Sequence, residues 1–180
     1  NNYTAAEIDR YITAVASSGN LYKFTVIDSV TDGDGNIIEK NEPEVERKIE
    51  VSDKTWDLVH EGMYKVCNES SYSDYMANLG GVVIAGKSGT AQESELRPPH
   101  ALFAGYAPYD DPEISMVITI PNGHGSSKVL DLYADMMCYY FNLPFKNKYR
   151  DYEAEAIRQA QIEAGTYQSD GSEDEDYTDT

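Results

Sequence analysis

The sequence predicts an α+β fold in which one antiparallel sheet packs with helices, and two patterns carry that prediction. Three strand-like runs follow one another near residues 82–93, 101–107 and 113–120, the last two joined by the hairpin connection Pro108-Tyr109-Asp110-Asp111-Pro112. Around them, apolar residues recur at helical spacing between Thr4 and Gly19, after Ser52, and from about 127 to 142. At 180 residues and 41% hydrophobic content the chain can bury one core.

In chain order, Thr4 with Glu7 three residues on forms a capping box, and Ile8, Tyr11, Ile12 and Val15 give one apolar helical face. Gly19 ends this helix, and Ser18-Gly19-Asn20 reads as its C-terminal cap. A two-stranded excursion follows, Phe24 to Val30 and Ile37-Ile38, joined through the turn sequence Asp32-Gly33-Asp34-Gly35. That turn is not a calcium loop, since an EF-hand starting at Asp32 requires Gly at its sixth position and Glu at its twelfth, where the chain has Ile37 and Pro43. Residues 39 to 50, with five acidic side chains among basic ones, read as a solvated face.

Ser52 caps a second helix whose Trp56, Val59, Met63 and Val66 form a core stripe. Glu69 to Leu79, with Tyr72 and Tyr75, reads as a loop. Val82, Val83 and Ile84 then read as a buried strand running into Gly86, Lys87, Ser88, Gly89 and Thr90. Ser126 or Ser127 caps the long helix from about 127 to 142, with Leu130, Tyr133, Met137, Tyr140 and Phe141 facing the sheet, and Pro144 closes it. His100 and His124 flank the strands with no partner at metal or triad spacing and are read as structural or solvent-facing. Residues 1–145 form the folded portion. The remainder, 146–180, holds a weakly helical segment from Tyr149 to Ala164 and a tail, Ser169 to Thr180, with six acidic residues and no basic one, expected to be disordered.

The net charge of -18, from 14 basic against 32 acidic residues, argues against nucleic acid, whose binding requires phosphate neutralisation. No apolar run is long enough to span a bilayer and no signal peptide opens the chain, so any membrane anchor of a parent protein is expected outside it. Cys67 and Cys138 are expected to be buried thiols rather than a disulfide. Neither a metal nor a cofactor is implied.

The stretch Gly81 to Gln92 concentrates the chemistry. Gly86 and Gly89 strip side chains from either end of Lys87-Ser88, so another molecule could approach that backbone closely. A cation and two hydroxyls on one strand edge suit an anionic, peptide-like ligand that adds itself as a further strand and sets its carboxylate against Lys87, Ser88 and Thr90. Gly81 to Ser88 also satisfies G-x-x-x-x-G-K-[ST], the phosphate loop of nucleotide hydrolases. That loop requires a helix starting at its Lys-Ser. Here Val-Val-Ile-Ala prefers strand, and Gly89, Pro98 and Pro99 follow without a helical period.

Lys87-Ser88-Gly89 resembles K-[ST]-G, the third motif of the penicillin-binding transpeptidases. The resemblance extends through Thr90-Ala91-Gln92, His100, Ala107-Pro108-Tyr109-Asp110-Asp111-Pro112-Glu113 and Pro121-Asn122-Gly123, which look like the last three sheet strands of a class B, monofunctional enzyme of the elongation type. Tyr3-Thr4, Val51-Ser52 and Glu61-Gly62-Met63 are similar to that family too, so coverage runs from about residue 3 to about 143.

The resemblance implies a peptidoglycan D,D-transpeptidase in which a serine attacks the D-alanyl-D-alanine end of a stem peptide and β-lactams acylate the same serine. In that scheme Lys87 supplies positive charge and supports proton transfer, and the Ser88 and Thr90 hydroxyls hold the substrate carboxylate. The Thr90 backbone N–H is half of the oxyanion hole, and Gly89 and Gln92 complete the substrate-binding set. No S-x-x-K occurs in the chain, so it is expected to be a C-terminal piece of a larger, membrane-anchored enzyme of a wall-elongation complex at the extracytoplasmic face, inactive without its N-terminal half. The strand at 113–120 is then expected to leave its outer edge uncovered. A non-catalytic β-lactam sensor or a wall-binding module of the same fold are the alternatives.

Overall fold

A computed structural model describes residues 3–77 and 79–144, together with Ala164. By its contacts the chain divides into two compact units, Asn1–Lys146 and Asn147–Thr180. All elements described below belong to the first, and the segment and tail read at 146–180 lie, Ala164 apart, outside the described residues.

Helix α1, Ala5–Ala16, starts where the capping box places it: the Glu7 amide donates to Thr4 Oγ1 at 3.2 Å and the Thr4 amide donates to the Glu7 carboxylate at 2.8 Å. Ile12, Ala14 and Val15 are buried and Ile8 packs beside them. Tyr11, expected on that face, is instead 60% exposed, because Ile8, Ile12 and Val15 already fill the stripe and a flanking phenol is at ease in water. The helix ends at the predicted cap. Gly19 has φ +104, its amide donates to Ala14 O at 2.7 Å, and a Cβ there would stand 2.3 Å from the backbone oxygen of Ile49.

The excursion after Gly19 is built differently from the expectation. It contains two antiparallel ribbons, β1 (Asn20–Tyr22) with β4 (Val45–Lys48), and β2 (Ser29–Thr31) with β3 (Ile37–Lys40). The turn at Asp32 holds as read, its Oδ1 accepting from the amides of Asp34 and Asn36 at 3.0 and 2.8 Å. The strand expected from Phe24 shrinks to Ser29–Thr31 because no layer covers Phe24, Val26 and Ile27, which stay exposed. Residues 45–48, expected only as a solvated face, do form a strand, paired with β1 and exposed along its length.

Helix α2, Asp53–Asn68, is capped by Ser52, whose Oγ accepts from the Thr55 amide at 3.2 Å. Its stripe is core as predicted, with Met63 and Cys67 buried and Trp56, Val59 and Val66 packed alongside. Within the expected loop lies a short helix, α3 (Ser73–Met76), anchored by buried Met76 and Leu79.

Strands β5 (Ala85–Ala91), β6 (His100–Ala107) and β7 (Ile114–Ile120) form the predicted antiparallel sheet in the order β5-β6-β7, with Ser88 opposite Phe103 and Phe103 opposite Ile118. Strand β5 begins at Ala85, three residues later than the apolar run suggests. Gly80 and Gly81, both at positive φ, turn the chain so that the Val82 amide donates to Leu79 O at 2.9 Å. On the partner side Pro108 follows β6 and has no N–H for the ladder. One bond, from the Tyr109 amide to Val83 O at 2.8 Å, continues the contact.

Each face of the sheet carries a core. On one, Ala85, Ala104 and Tyr106 meet Ile12 and Val15 of α1 and Met63 of α2. On the other, Ala101 and Phe103 meet Leu130, Tyr133, Met137 and Cys138 of α4 (Leu130–Tyr140), along with Cys67 and Met76. The Phe103 and Tyr133 rings pack edge to face at 4.6 Å. Neither cysteine is in a disulfide; both thiols are fully buried, and burial pushes Cys67 up to about 12.

Two expectations for α4 are corrected. It begins after a turn of 3-10 helix, Ser126–Val129, and no serine side chain caps either element; the Ser126 hydroxyl is engaged elsewhere, as described below. Tyr140 is half exposed and does not face the sheet.

Candidate functional site

The candidate site is built on β5. As the first strand of the order β5-β6-β7, it leaves one side of its backbone without a strand partner among the described residues. Register separates its side chains by face. Ser88 and Thr90 lie opposite Phe103 and Ala101, members of the core under α4, while Lys87 lies opposite Ala104 of the core under α1 and α2. Lys87 and Thr90 are exposed, and Ser88 and Gly89 are half-buried.

The Lys87 ammonium donates to the Ser88 carbonyl oxygen at 2.7 Å and stands 3.4 Å from Ser88 Oγ. Among the described residues it makes no ion pair. A cation uncommitted to any carboxylate, beside a hydroxyl on an open strand edge, is placed to receive an anionic group. Gln92 lies one residue beyond the strand end, where its amide donates to Ser94 O at 3.4 Å. Lys87 and Ser88 are mid-strand, so no helix starts at them, as a phosphate loop requires.

The glycines serve the sheet itself. A Cβ on Gly86 would meet the Phe103 ring at 2.6 Å, and one on Gly89 would meet Leu102 Cδ2 at 3.0 Å. Both make room for side chains of β6, and Gly86 is buried.

The structure adds a residue that sequence reasoning left in a loop. Tyr72, just ahead of α3, places its phenol 3.0 Å from Ser126 Oγ. The hydrogen bond with Ser126 foremost holds this phenol below the usual tyrosine range, against a smaller opposing effect of burial. Tyr72 is separated from Ser126 by more than fifty intervening residues. No local pattern marks such a contact. His100 is structural, as read, with Nδ1 accepting from the Asn122 amide at 3.0 Å and Nε2 3.2 Å from Glu93.

A family model described as the penicillin binding protein transpeptidase domain matches residues 1–137. Penicillin-binding protein 2B of Streptococcus pneumoniae is 26% identical over 149 residues, covering 73% of this chain and 22% of the relative. The peptidoglycan D,D-transpeptidase MrdA of Haemophilus influenzae is 35% identical over 112 residues, 52% of this chain and 17% of the relative. The crystal structure of Pseudomonas aeruginosa PBP2 in complex with WCK 5153 superposes with a TM-score of 0.62 at 25% identity, covering 83% of this chain and 32% of that one. The chain thus spans about a fifth of the length of the curated relatives.

Proposed function

Because the chain belongs to the penicillin binding protein transpeptidase domain family, we propose that it supplies the substrate-holding strand of a peptidoglycan D,D-transpeptidase of the elongation type, working at the extracytoplasmic face of a bacterial membrane. The supporting observation is the open edge of β5, where Lys87, Ser88, Gly89 and Thr90 stand in sequence and the Lys87 ammonium has no acidic partner among the described residues.

In this reading a stem peptide lies along β5 as an added strand. Ser88 and Thr90 hydroxyls take its terminal carboxylate, with Gly89 and Gln92 flanking it, and the Thr90 amide N–H stabilises the charge that develops on the attacked carbonyl oxygen. The serine of an S-x-x-K motif in the parent polypeptide attacks that carbonyl, its proton passing through the lysines. Terminal D-alanine leaves with a proton, and the acyl group passes to the amine of a neighbouring stem. A β-lactam opens its ring amide on the same serine, so nothing departs and the adduct persists. Among the described residues no helix is long and apolar enough to cross a membrane.

The test compares two samples by intact-mass spectrometry after incubation with a fluorescent penicillin. The parent should gain one adduct per molecule, mapped to the S-x-x-K serine, and the 180-residue chain alone should gain none. Stoichiometric labelling of the short chain, or an unlabelled parent, would contradict the proposal.

A further inference from the structure

Strand β5 is laddered to β6 only as far as Ala91, which stands opposite His100. Gln92 and Glu93 follow directly and leave the strand. His100, the first residue of β6, ties three segments together at this point. Its Nδ1 accepts from the Asn122 amide at 3.0 Å, so the proton of the neutral ring sits on Nε2, which faces the Glu93 carboxylate at 3.2 Å. The turn that supplies the Asn122 amide is fastened to the same place, because the His124 amide donates to Pro99 O at 3.0 Å. Asn122 and His124 both lie in the left-handed region, with φ +55 and +66, which non-glycine residues keep only where their surroundings hold them. The imidazole therefore stands on a fixed base and reaches out to the exit of β5.

We propose that His100 is a positioning residue: through Glu93 it fixes the exit of β5 as the subsite for the acyl portion of the ligand, the part ahead of the scissile bond. This rests on the transpeptidase reading above. Direction along the strand decides which part of the ligand lies there. A ligand whose terminal carboxylate is held at Ser88 and Thr90, and whose attacked carbonyl meets the Thr90 amide, runs antiparallel to β5. Its residues ahead of that carbonyl then continue past Ala91 to Gln92 and Glu93. Beyond Ala91 no ladder bond to β6 orders this stretch. The His100 bond orders it before the ligand arrives, so less freedom is lost on binding. Glu93 uses one of its acceptor positions on Nε2 and keeps others for N–H donors of the ligand.

The test compares two acylating compounds on the parent polypeptide: benzylpenicillin, which carries a phenylacetyl arm on its amine, and 6-aminopenicillanic acid, which carries none. Glu93→Ala and His100→Ala should each lower the second-order rate constant for benzylpenicillin by about three- to tenfold. The same variants should change the rate constant for 6-aminopenicillanic acid by less than about twofold. Glu93→Gln, whose side-chain oxygen still accepts from Nε2, should restore the benzylpenicillin rate to within about twofold of wild type. Amide hydrogen exchange over residues 91–97 should quicken in Glu93→Ala and not in Glu93→Gln. Glu93 is exposed, so its replacement leaves the fold in place even if His100→Ala does not. An unchanged benzylpenicillin rate in Glu93→Ala, equal losses toward the two compounds, or no rescue by Glu93→Gln overturns the positioning role and leaves the transpeptidase reading intact. A wild-type parent that neither compound acylates overturns both.

Discussion

In the parent polypeptide, Lys87→Ala is expected to lower the second-order rate constant for acylation by benzylpenicillin by about 10²- to 10⁴-fold, the range for losing a proton-transfer partner or one preorganised electrostatic group. The structure argues for an effect on chemistry rather than on folding. Lys87 is exposed and makes no ion pair among the described residues, so its removal should leave stability within about 0.5 kcal/mol. Among the described residues its hydrogen bonds are to Ser88 alone, at 2.7 and 3.4 Å. Lys87→Arg separates the two duties: it keeps the charge beside the carboxylate but gives up the proton, since guanidinium stays protonated. That variant should recover much of the affinity and little of the acylation rate. A Lys87→Ala parent acylated within about threefold of wild type would remove β5 from the chemistry.

Phe103→Ala should cost about 3–5 kcal/mol of folding stability, a large share of the roughly 5–15 kcal/mol of an ordinary domain. Phe103 is fully buried, meets Tyr133 edge to face at 4.6 Å, and fills the space that Gly86 leaves open. It also stands opposite Ser88 in the register, so losing the ring loosens the strand that carries the site. Leu102→Ala, a half-buried neighbour on the opposite face, should cost much less. Equilibrium urea unfolding followed by far-ultraviolet circular dichroism compares them, and equal midpoints for the two variants would show that the core under α4 is not what holds the sheet together.

What the sequence discloses is what depends on near neighbours. The Thr4 and Ser52 caps, the Asp32 turn, the Gly19 termination and the apolar runs of β6 and β7 each follow from residues a few positions apart, and each stands in the structure where the pattern places it. The pairing of β1 with β4 does not, because Val45–Lys48 is charged, exposed on both faces and shows no apolar alternation. Ser126 carries the local signal of a helix cap, yet its hydroxyl goes to Tyr72, more than fifty residues away, and the chain enters α4 through a 3-10 turn instead. The same long-range contact explains the reading of the site. Lys87, Ser88, Gly89 and Thr90 are contiguous and could be named from the motif, whereas the contact of Tyr72 with Ser126 joins segments far apart in the sequence. Gly86 is the subtler case: the sequence marks a missing side chain but not that Phe103 takes the space.

The two cysteines turn the core under α4 into a clock. Cys67 rides on α2 and Cys138 on α4, both sealed from solvent, and the Cys67 thiol, with its pKa pushed to about 12, hardly ionises at neutral pH even before access is considered. An alkylating reagent therefore reacts only in moments when the packing opens, and its rate counts those moments. Because the thiols sit on different helices, the count is resolved in space. Modification of Cys138 alone records the last helix peeling from the sheet, and joint modification records the whole core coming apart. The same sealing spares the chain from stray cross-links in an oxidising compartment, where an accessible thiol is a hazard.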